Sequence, residues 1–368
     1  MRIGMGRNSA ADAESFRFMA QLGVQDVVLN TPPVPVKNGR WQLDDLVNLR
    51  NRVEEFGLKL TAIENTQIEM RHHLIAGGPR FDEQLENMVE TVRNIGRAGI
   101  PMYTMSWRYP RYYRTGYKDI RFGAKGTAFD PALANWPNVL DWELTLDRAW
   151  ECLETWVKTV TPVAEEYGVR IGMHPVDPPL PVIAGVPQLL HNFEGFKRLI
   201  DIVDSPANSI LLCQGSFSQM AGADGDGPES IYNMIEYFVK RKRVLYVHFR
   251  NVSGTVPKFH EEFINTGYVD MYRAMRLYAT HGFDGFFMDD HIPHVVGDTE
   301  YGHRAKAFTN GYIQALIEAV TKQAESEGRR PGTLKDWTPD YLVGKPAAHP
   351  EPDIVPGGAS GRSGDVTG

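Results

Sequence analysis

A (β/α)₈ barrel, of the TIM-barrel class, is the fold this sequence predicts, and three observations carry the prediction. Short apolar or β-branched runs alternate with longer segments of helical period over roughly the first 325 of 368 residues. The runs number eight, as a barrel of parallel strands requires. No glycine-rich dinucleotide or P-loop fingerprint follows any of them, which argues against a doubly wound sheet.

In chain order the predicted strands lie at 2–5, 26–29, 58–64, 102–105, 169–173, 209–213, 244–248 and 285–288. Each is a short apolar stretch bounded by polar or turn-forming residues. Helices are predicted at 43–56, 81–98, 144–167, 186–203, 231–240, 271–281 and 305–324, where apolar residues recur at i, i+3, i+4 and i+7. Gly57, Gly99, Gly168 and Gly282 follow four of these helices, at the left-handed position where the chain turns toward the next strand.

Two stretches break the repeat. Residues 106–142 are far longer than an ordinary βα loop and carry Trp107, Arg108, Tyr109, Arg111, Tyr112, Tyr113, Arg114 and Tyr117. At the C-terminal face of a barrel such an insertion is expected either to cover a polar substrate or to form an oligomer contact. The domain reading is therefore one barrel over 1–326 with this insertion, followed by a C-terminal extension, 327–368. The end of that extension is rich in Pro, Gly and Ser and has almost nothing to bury.

Composition narrows the function. The 39 Lys and Arg against 46 Asp and Glu give a net charge of −7, without the clustered basic residues that nucleic-acid binding needs. Cys152 and Cys213 cannot form a disulfide framework, which points to a reducing compartment. The N-terminus has no apolar leader and no stretch is long enough to span a membrane, so a soluble cytoplasmic protein is expected.

The chemistry is concentrated at strand ends. His174 ends the fifth strand in IGMHPVDPP, Cys213 the sixth in ILLCQGS and His248 the seventh in LYVHFRNV, while Asp290 follows the eighth in GFFMDDH. In a barrel, residues 35–42 apart at the ends of neighbouring strands converge on one face. Two imidazoles, one thiolate and one carboxylate suit Mn²⁺, Fe²⁺, Co²⁺, Ni²⁺ or Zn²⁺ better than Mg²⁺ or Ca²⁺, which favour oxygen. Around this set lie His291, Tyr301 and His260, with Arg250 and Asn251 directly after His248. His291 and Tyr301 are the candidate proton-moving groups, in an undecided order. Arg7, Arg108, Arg111, Arg114 and Arg250 are candidate partners for a substrate carboxylate, with Arg250 ranked first because it follows a ligand strand.

The run HPVDPPLPVIAGVPQLL, followed by LCQGSFSQ, VHFRNV, FHEEFINTGYVDM and GFDGFFMDDH, resembles the motifs of bacterial mannonate dehydratases in the same order. The resemblance runs from the first strand to about residue 325. It implies a xylose-isomerase-like barrel, commonly oligomeric, that uses Mn²⁺ to convert D-mannonate to 2-keto-3-deoxy-D-gluconate. Matched motif by motif, it implies His174, Cys213, His248 and Asp290 as metal ligands and His291 and Tyr301 as catalytic residues. Arg114-Thr115 resembles a Trp-Thr-Arg-Thr segment of the family, and Arg250, Asn251 and His260 join Arg114 as expected substrate contacts. The chain departs from the family where Met288-Asp289 stands in place of Arg-Pro before the ligand Asp, and where IENTQIEMRHH replaces a segment carrying Val-His-Glu. Losing that Arg removes a charged partner for a carboxylate. A second reading is therefore a metal-dependent isomerase, epimerase or β-eliminating lyase on another sugar.

Overall fold

The computed structural model describes residues 1–8, 12–110 and 112–327. Eight strands close into a parallel barrel: β1 (Arg2–Asn8), β2 (Asp26–Asn30), β3 (Lys59–Glu64), β4 (Met102–Ser106), β5 (Arg170–His174), β6 (Asn208–Cys213), β7 (Val244–His248) and β8 (Phe286–Met288). Closure is made by β1 against β8, where Arg2 pairs with Phe286 and Ile3 with Phe287. Eight helices alternate with the strands: α1 (Ala13–Gln21), α2 (Leu43–Glu54), α3 (Phe81–Arg97), α4 (Leu146–Glu166), α5 (Phe193–Ile202), α6 (Ile231–Lys240), α7 (Met271–Thr280) and α8 (His303–Ser326). Among the described residues no helix is long and apolar enough to cross a membrane.

Two apolar clusters hold the barrel. The larger joins helices to the outer faces of the strands and includes Met19, Val92, Trp156, Phe196, Phe238 and Tyr278, all buried. The smaller comes from strands alone, with Val28, Ala62, Leu211, Leu245, Tyr246, Phe286 and Met288, and fills the interior. Gly6 makes room for that filling, since a Cβ there would stand 2.5 Å from the terminal carbon of Met288.

One register shift matters for function. Ile210 pairs with Val244 but Leu212 pairs with Val247, so β7 carries one residue more than β6 over that span. Leu245 and Tyr246 consequently both join the interior cluster, and the inward alternation is reset so that His248 faces the barrel mouth.

The structure corrects one expectation and adds two elements the sequence does not reveal. The helix predicted at 186–203 begins only at Phe193, capped by the Asn192 side chain, which accepts from Gly195 N at 2.8 Å. Val186 and Pro187 instead form a hairpin with Val182 and Ile183, turned by Ala184 and Gly185 at positive φ. Helix α1 was not among the predicted helices. Asp12 caps it, accepting from Ser15 N, but only Ser15, Phe16 and Met19 are buried, too few to print a helical period. The 106–142 insertion is no simple loop: Gly116–Ile120 and Ala124–Phe129 pair antiparallel, and Phe259–His260, from the segment after β7, adds a third strand. The predicted extension from 327 lies, beyond Glu327, outside the described residues.

Candidate active site

The ends of β5 to β8 deliver the first group of functional side chains. His174, Cys213 and His248 are buried, and their donor atoms lie within 4.8 Å of one another. Asp290, just past β8, places Oδ2 3.7 Å from Cys213 Sγ and 3.5 Å from His248 Nδ1. Glu64, the last residue of β3, closes the group from across the barrel with Oε2 3.4 Å from His248 Nε2.

Electrostatics make this group a receptor for positive charge. Burial pushes the Cys213 thiol up, but Arg250 and His174 outweigh it and hold the thiol well below its ordinary value. Burial lowers His248, yet Asp290 and Glu64 raise it well above the usual imidazole range. Burial likewise raises Asp290, and His291 and His248 pull it well below the ordinary carboxylate value. Three anionic groups thus draw a proton onto a buried ring.

A metal fits these residues. Both His248 ring nitrogens are buried and make no hydrogen bond among the described residues. His174 Nδ1 lies 2.7 Å from the Pro175 carbonyl, which can only accept; Nδ1 therefore carries the hydrogen and Nε2 keeps its lone pair. A divalent cation would replace the proton on His248 and satisfy both rings.

A second group adjoins it. Asp177, from the VDPP turn after β5, and Glu261, beside the third strand of the insertion sheet, are both buried. Arg114 grips Asp177 bidentately at 2.6 and 2.9 Å and reaches Glu261 at 2.7 Å. Arg250 bonds Glu261 at 2.5 and 2.6 Å and Asp177 at 2.8 Å, and its Nε stands 2.9 Å from Asp290 Oδ2. Gly215 permits this crossing, because a Cβ there would meet Arg250 Nε at 2.6 Å. Ser216 links the two groups, with Oγ 3.2 Å from Cys213 Sγ, 3.3 Å from Asp177 and 3.0 Å from Arg250.

His291 completes this second group. Its Nδ1 lies 3.2 Å from Glu261 Oε1 and 3.4 Å from the Tyr112 hydroxyl, and its Nε2 3.5 Å from Asp290 Oδ1. Its φ of +38° is a strained backbone for a non-glycine residue, as are the positive φ values of Thr31 and Asn65 at the same mouth.

Above both groups the barrel opens into two adjoining cavities of about 550 and 610 Å³, which share Asn30, Glu64, His248, Asp290 and His291. Each is the size of a small-molecule site. The first extends over β3 and β4 to Arg71, Ser106, Arg108 and Tyr112. The second extends over β1 and β8 to Met288, Asp289, Tyr301 and Lys306. Tyr301 donates to the Gly6 carbonyl at 3.0 Å, and its loop is held by Asp298, which accepts from the backbone of Thr299, Arg304 and Ala305.

The structure thus gathers His174, Cys213, His248, Asp290 and His291 at one floor, with Tyr301 on its rim. It does not bring the four expected substrate contacts to the cavities. Arg114 and Arg250 are held by Asp177 and Glu261. Asn251 is buried, donating to the Ile264 and Val269 carbonyls, so it braces a loop. His260 pairs with Glu262 at 3.1 Å on the insertion sheet. Of the other arginines considered, Arg108 lines the first cavity, Arg111 lies outside the described residues, and the Arg7 side chain is likewise not described. Sequence reasoning missed Glu64, Asp177, Glu261 and Arg71. For Glu64 a signal existed, since it too ends a predicted strand.

Comparison with known proteins gives one family. The chain matches D-mannonate dehydratase (UxuA) over residues 4–134 and 130–327. It is 29% identical over 335 residues to a mannonate dehydratase of Streptococcus pneumoniae, covering 82% of this chain and 89% of the relative. To a mannonate dehydratase of Thermotoga neapolitana it is 29% identical over 344 residues, covering 82% and 92%. The crystal structure of mannonate dehydratase from Streptococcus suis serotype 2 superposes with a TM-score of 0.80 at 27% identity, covering 94% of this chain and 99% of that one. A xylose isomerase-like TIM barrel protein from Mycobacterium smegmatis, at 14% identity and a TM-score of 0.57, shares the fold, covering 87% of this chain and 97% of that one.

Proposed function

Because the chain belongs to the D-mannonate dehydratase family, we propose that it removes water from D-mannonate to give 2-keto-3-deoxy-D-gluconate, as a carbon–oxygen lyase. The observation that carries this reading is the placement of His291 beside, and Tyr301 on the rim above, a buried His/Cys/Asp donor set whose His248 nitrogens make no hydrogen bond among the described residues. His174, Cys213, His248 and Asp290 would hold the ion, Mn²⁺ in this proposal. When bound, it supplies Lewis acidity that eases ionisation at C2.

The protein's own groups divide the proton transfers. His291 has Nδ1 against a buried carboxylate, Glu261, which orients the ring, keeps the hydrogen on Nδ1 and leaves the lone pair on Nε2. His291 therefore takes the C2 proton. Tyr301 carries its proton toward a carbonyl and gives it to the departing C3 hydroxyl. The C2–H and C3–O bonds break, the C2–C3 double bond forms and water leaves. The enol then takes a proton at C3 and becomes the 2-keto acid, and proton exchange through solvent resets the two residues.

The test is to incubate Mn²⁺-loaded protein with D-mannonate and follow 2-keto-3-deoxy-D-gluconate. Turnover is expected, and Tyr301→Phe should lower kcat by about a hundredfold or more at unchanged metal content. No product from metal-loaded wild-type protein would overturn the reading and direct the search to isomerisation or epimerisation. Full activity of Tyr301→Phe would overturn its role as acid.

A further inference from the structure

The cations around the site fall into two classes. Arg114 and Arg250 are bound to Asp177 and Glu261, and Lys306, in the second cavity, is bound to Asp289. Arg108 is different. It lines the first cavity, its guanidinium donates to one backbone carbonyl, that of Asp177, at 3.1 Å, and it leans on the Tyr112 ring at 5.6 Å. No carboxylate among the described residues lies within ion-pair distance of it. Removal from solvent lowers it to about 10, which leaves it a cation at neutral pH.

The second cavity offers no equivalent. Its wall at the end of β8 is Met288, and its acid–base pair, Asp289 with Lys306, is already neutral overall. Arg71 adds positive charge to the first cavity, its guanidinium held in place by the Ser106 carbonyl at 2.8 Å and the Asn65 side chain at 3.3 Å. Glu69, the further acid of that cavity, is exposed at its rim.

Resting on the reading of the site as one for a sugar acid, we infer that Arg108 receives the substrate's C1 carboxylate, so that the acid end lies over β3 and β4 and the polyol tail over β1 and β8. In that orientation C2 lies near the junction, where His291 lines both cavities, and C3 lies toward Tyr301. A guanidinium with one neutral acceptor has donors left for two carboxylate oxygens. The assignment makes Arg108, rather than Arg114 or Arg250, the residue that separates sugar acids from neutral sugars.

The experiment compares wild type, Arg108→Met and Arg108→Lys, each Mn²⁺-loaded and checked for equal metal content. Binding of D-gluconate and of D-glucitol, the same carbon chain without a carboxylate, is measured by calorimetry, alongside kcat and KM for D-mannonate. Wild type should prefer gluconate by about tenfold or more, Arg108→Met should lose that preference, and Arg108→Lys should keep part of it. KM for D-mannonate should rise by about tenfold in Arg108→Met, with kcat falling less than KM rises. An Arg108→Met protein with wild-type preference and KM overturns the assignment while leaving the dehydratase reading intact. A wild type that prefers gluconate through Arg108 but does not turn over D-mannonate keeps the assignment and overturns the dehydratase reading. A wild type without preference for the acid overturns the assignment directly. If Arg108→Met does not fold, the Arg108→Lys comparison decides on the same readouts.

Discussion

Two groups of metal-ligating residue types stand side by side at the barrel mouth, and they differ in what balances their charge. His174, Cys213, His248 and Asp290 include a ring whose nitrogens are buried and make no hydrogen bond among the described residues. Asp177, Glu261 and His291 likewise bring their donor atoms within 4.8 Å of one another, yet two guanidiniums already occupy their carboxylates. The first group has a single guanidinium contact, Arg250 Nε on Asp290, whereas in the second Arg114 and Arg250 both pair with each carboxylate. Residue type and spacing do not separate two such groups; the partners of their carboxylates and rings do.

The largest expected effect removes a cation from the second group. Arg250→Met would leave buried Asp177 and Glu261 with Arg114 alone and take the guanidinium from Asp290, and should cost about 3–5 kcal/mol in urea unfolding of the metal-free protein. A loss below about 1 kcal/mol would mean that these carboxylates do not depend on Arg250, and the contrast would fail.

Acid should act on the same group. Burial raises both Asp177 and Glu261, but Arg114 and Arg250 for Asp177, and Arg250 and His291 for Glu261, bring each below its usual range in the folded state. The stabilisation they contribute is full above the unfolded values, near pH 4, and is lost as pH falls through the lower folded values. Unfolding free energy of the metal-free protein should therefore decline below about pH 4. A Glu261→Gln protein should decline less steeply there; identical slopes would contradict the assignment.

The smallest effect probes the link between groups. Ser216→Ala removes the hydroxyl that touches Cys213, Asp177 and Arg250, and should cost about 1 kcal/mol while leaving metal content unchanged. Loss of the ion in this variant would show that the two groups act as one.

The barrel was legible because the eight strands are short apolar runs and the glycines after the helices mark their ends. The convergence of His174, Cys213, His248 and Asp290 was legible for the same reason: each sits at or just past a strand end, and strand ends converge. The second group was not. Glu261 reaches the site because Phe259 and His260 pair with Phe129 and Ala128, a contact across about 130 residues that periodicity does not record. Arg250 was ranked first for its nearness to His248, and that nearness is real, but its guanidinium turns to Glu261 and Asp177, whose positions the sequence does not reveal. The inward aim of His248 depends on the extra residue in β7, which appears only in the pairing with β6.

The most direct test is the metal content of purified protein after saturation with Mn²⁺ and desalting, measured for wild type, Cys213→Ala and Glu261→Gln. One ion per chain is expected in wild type and in Glu261→Gln, and none in Cys213→Ala. Two ions in wild type, or loss of the ion in Glu261→Gln with retention in Cys213→Ala, would place the metal in the other group and contradict the account.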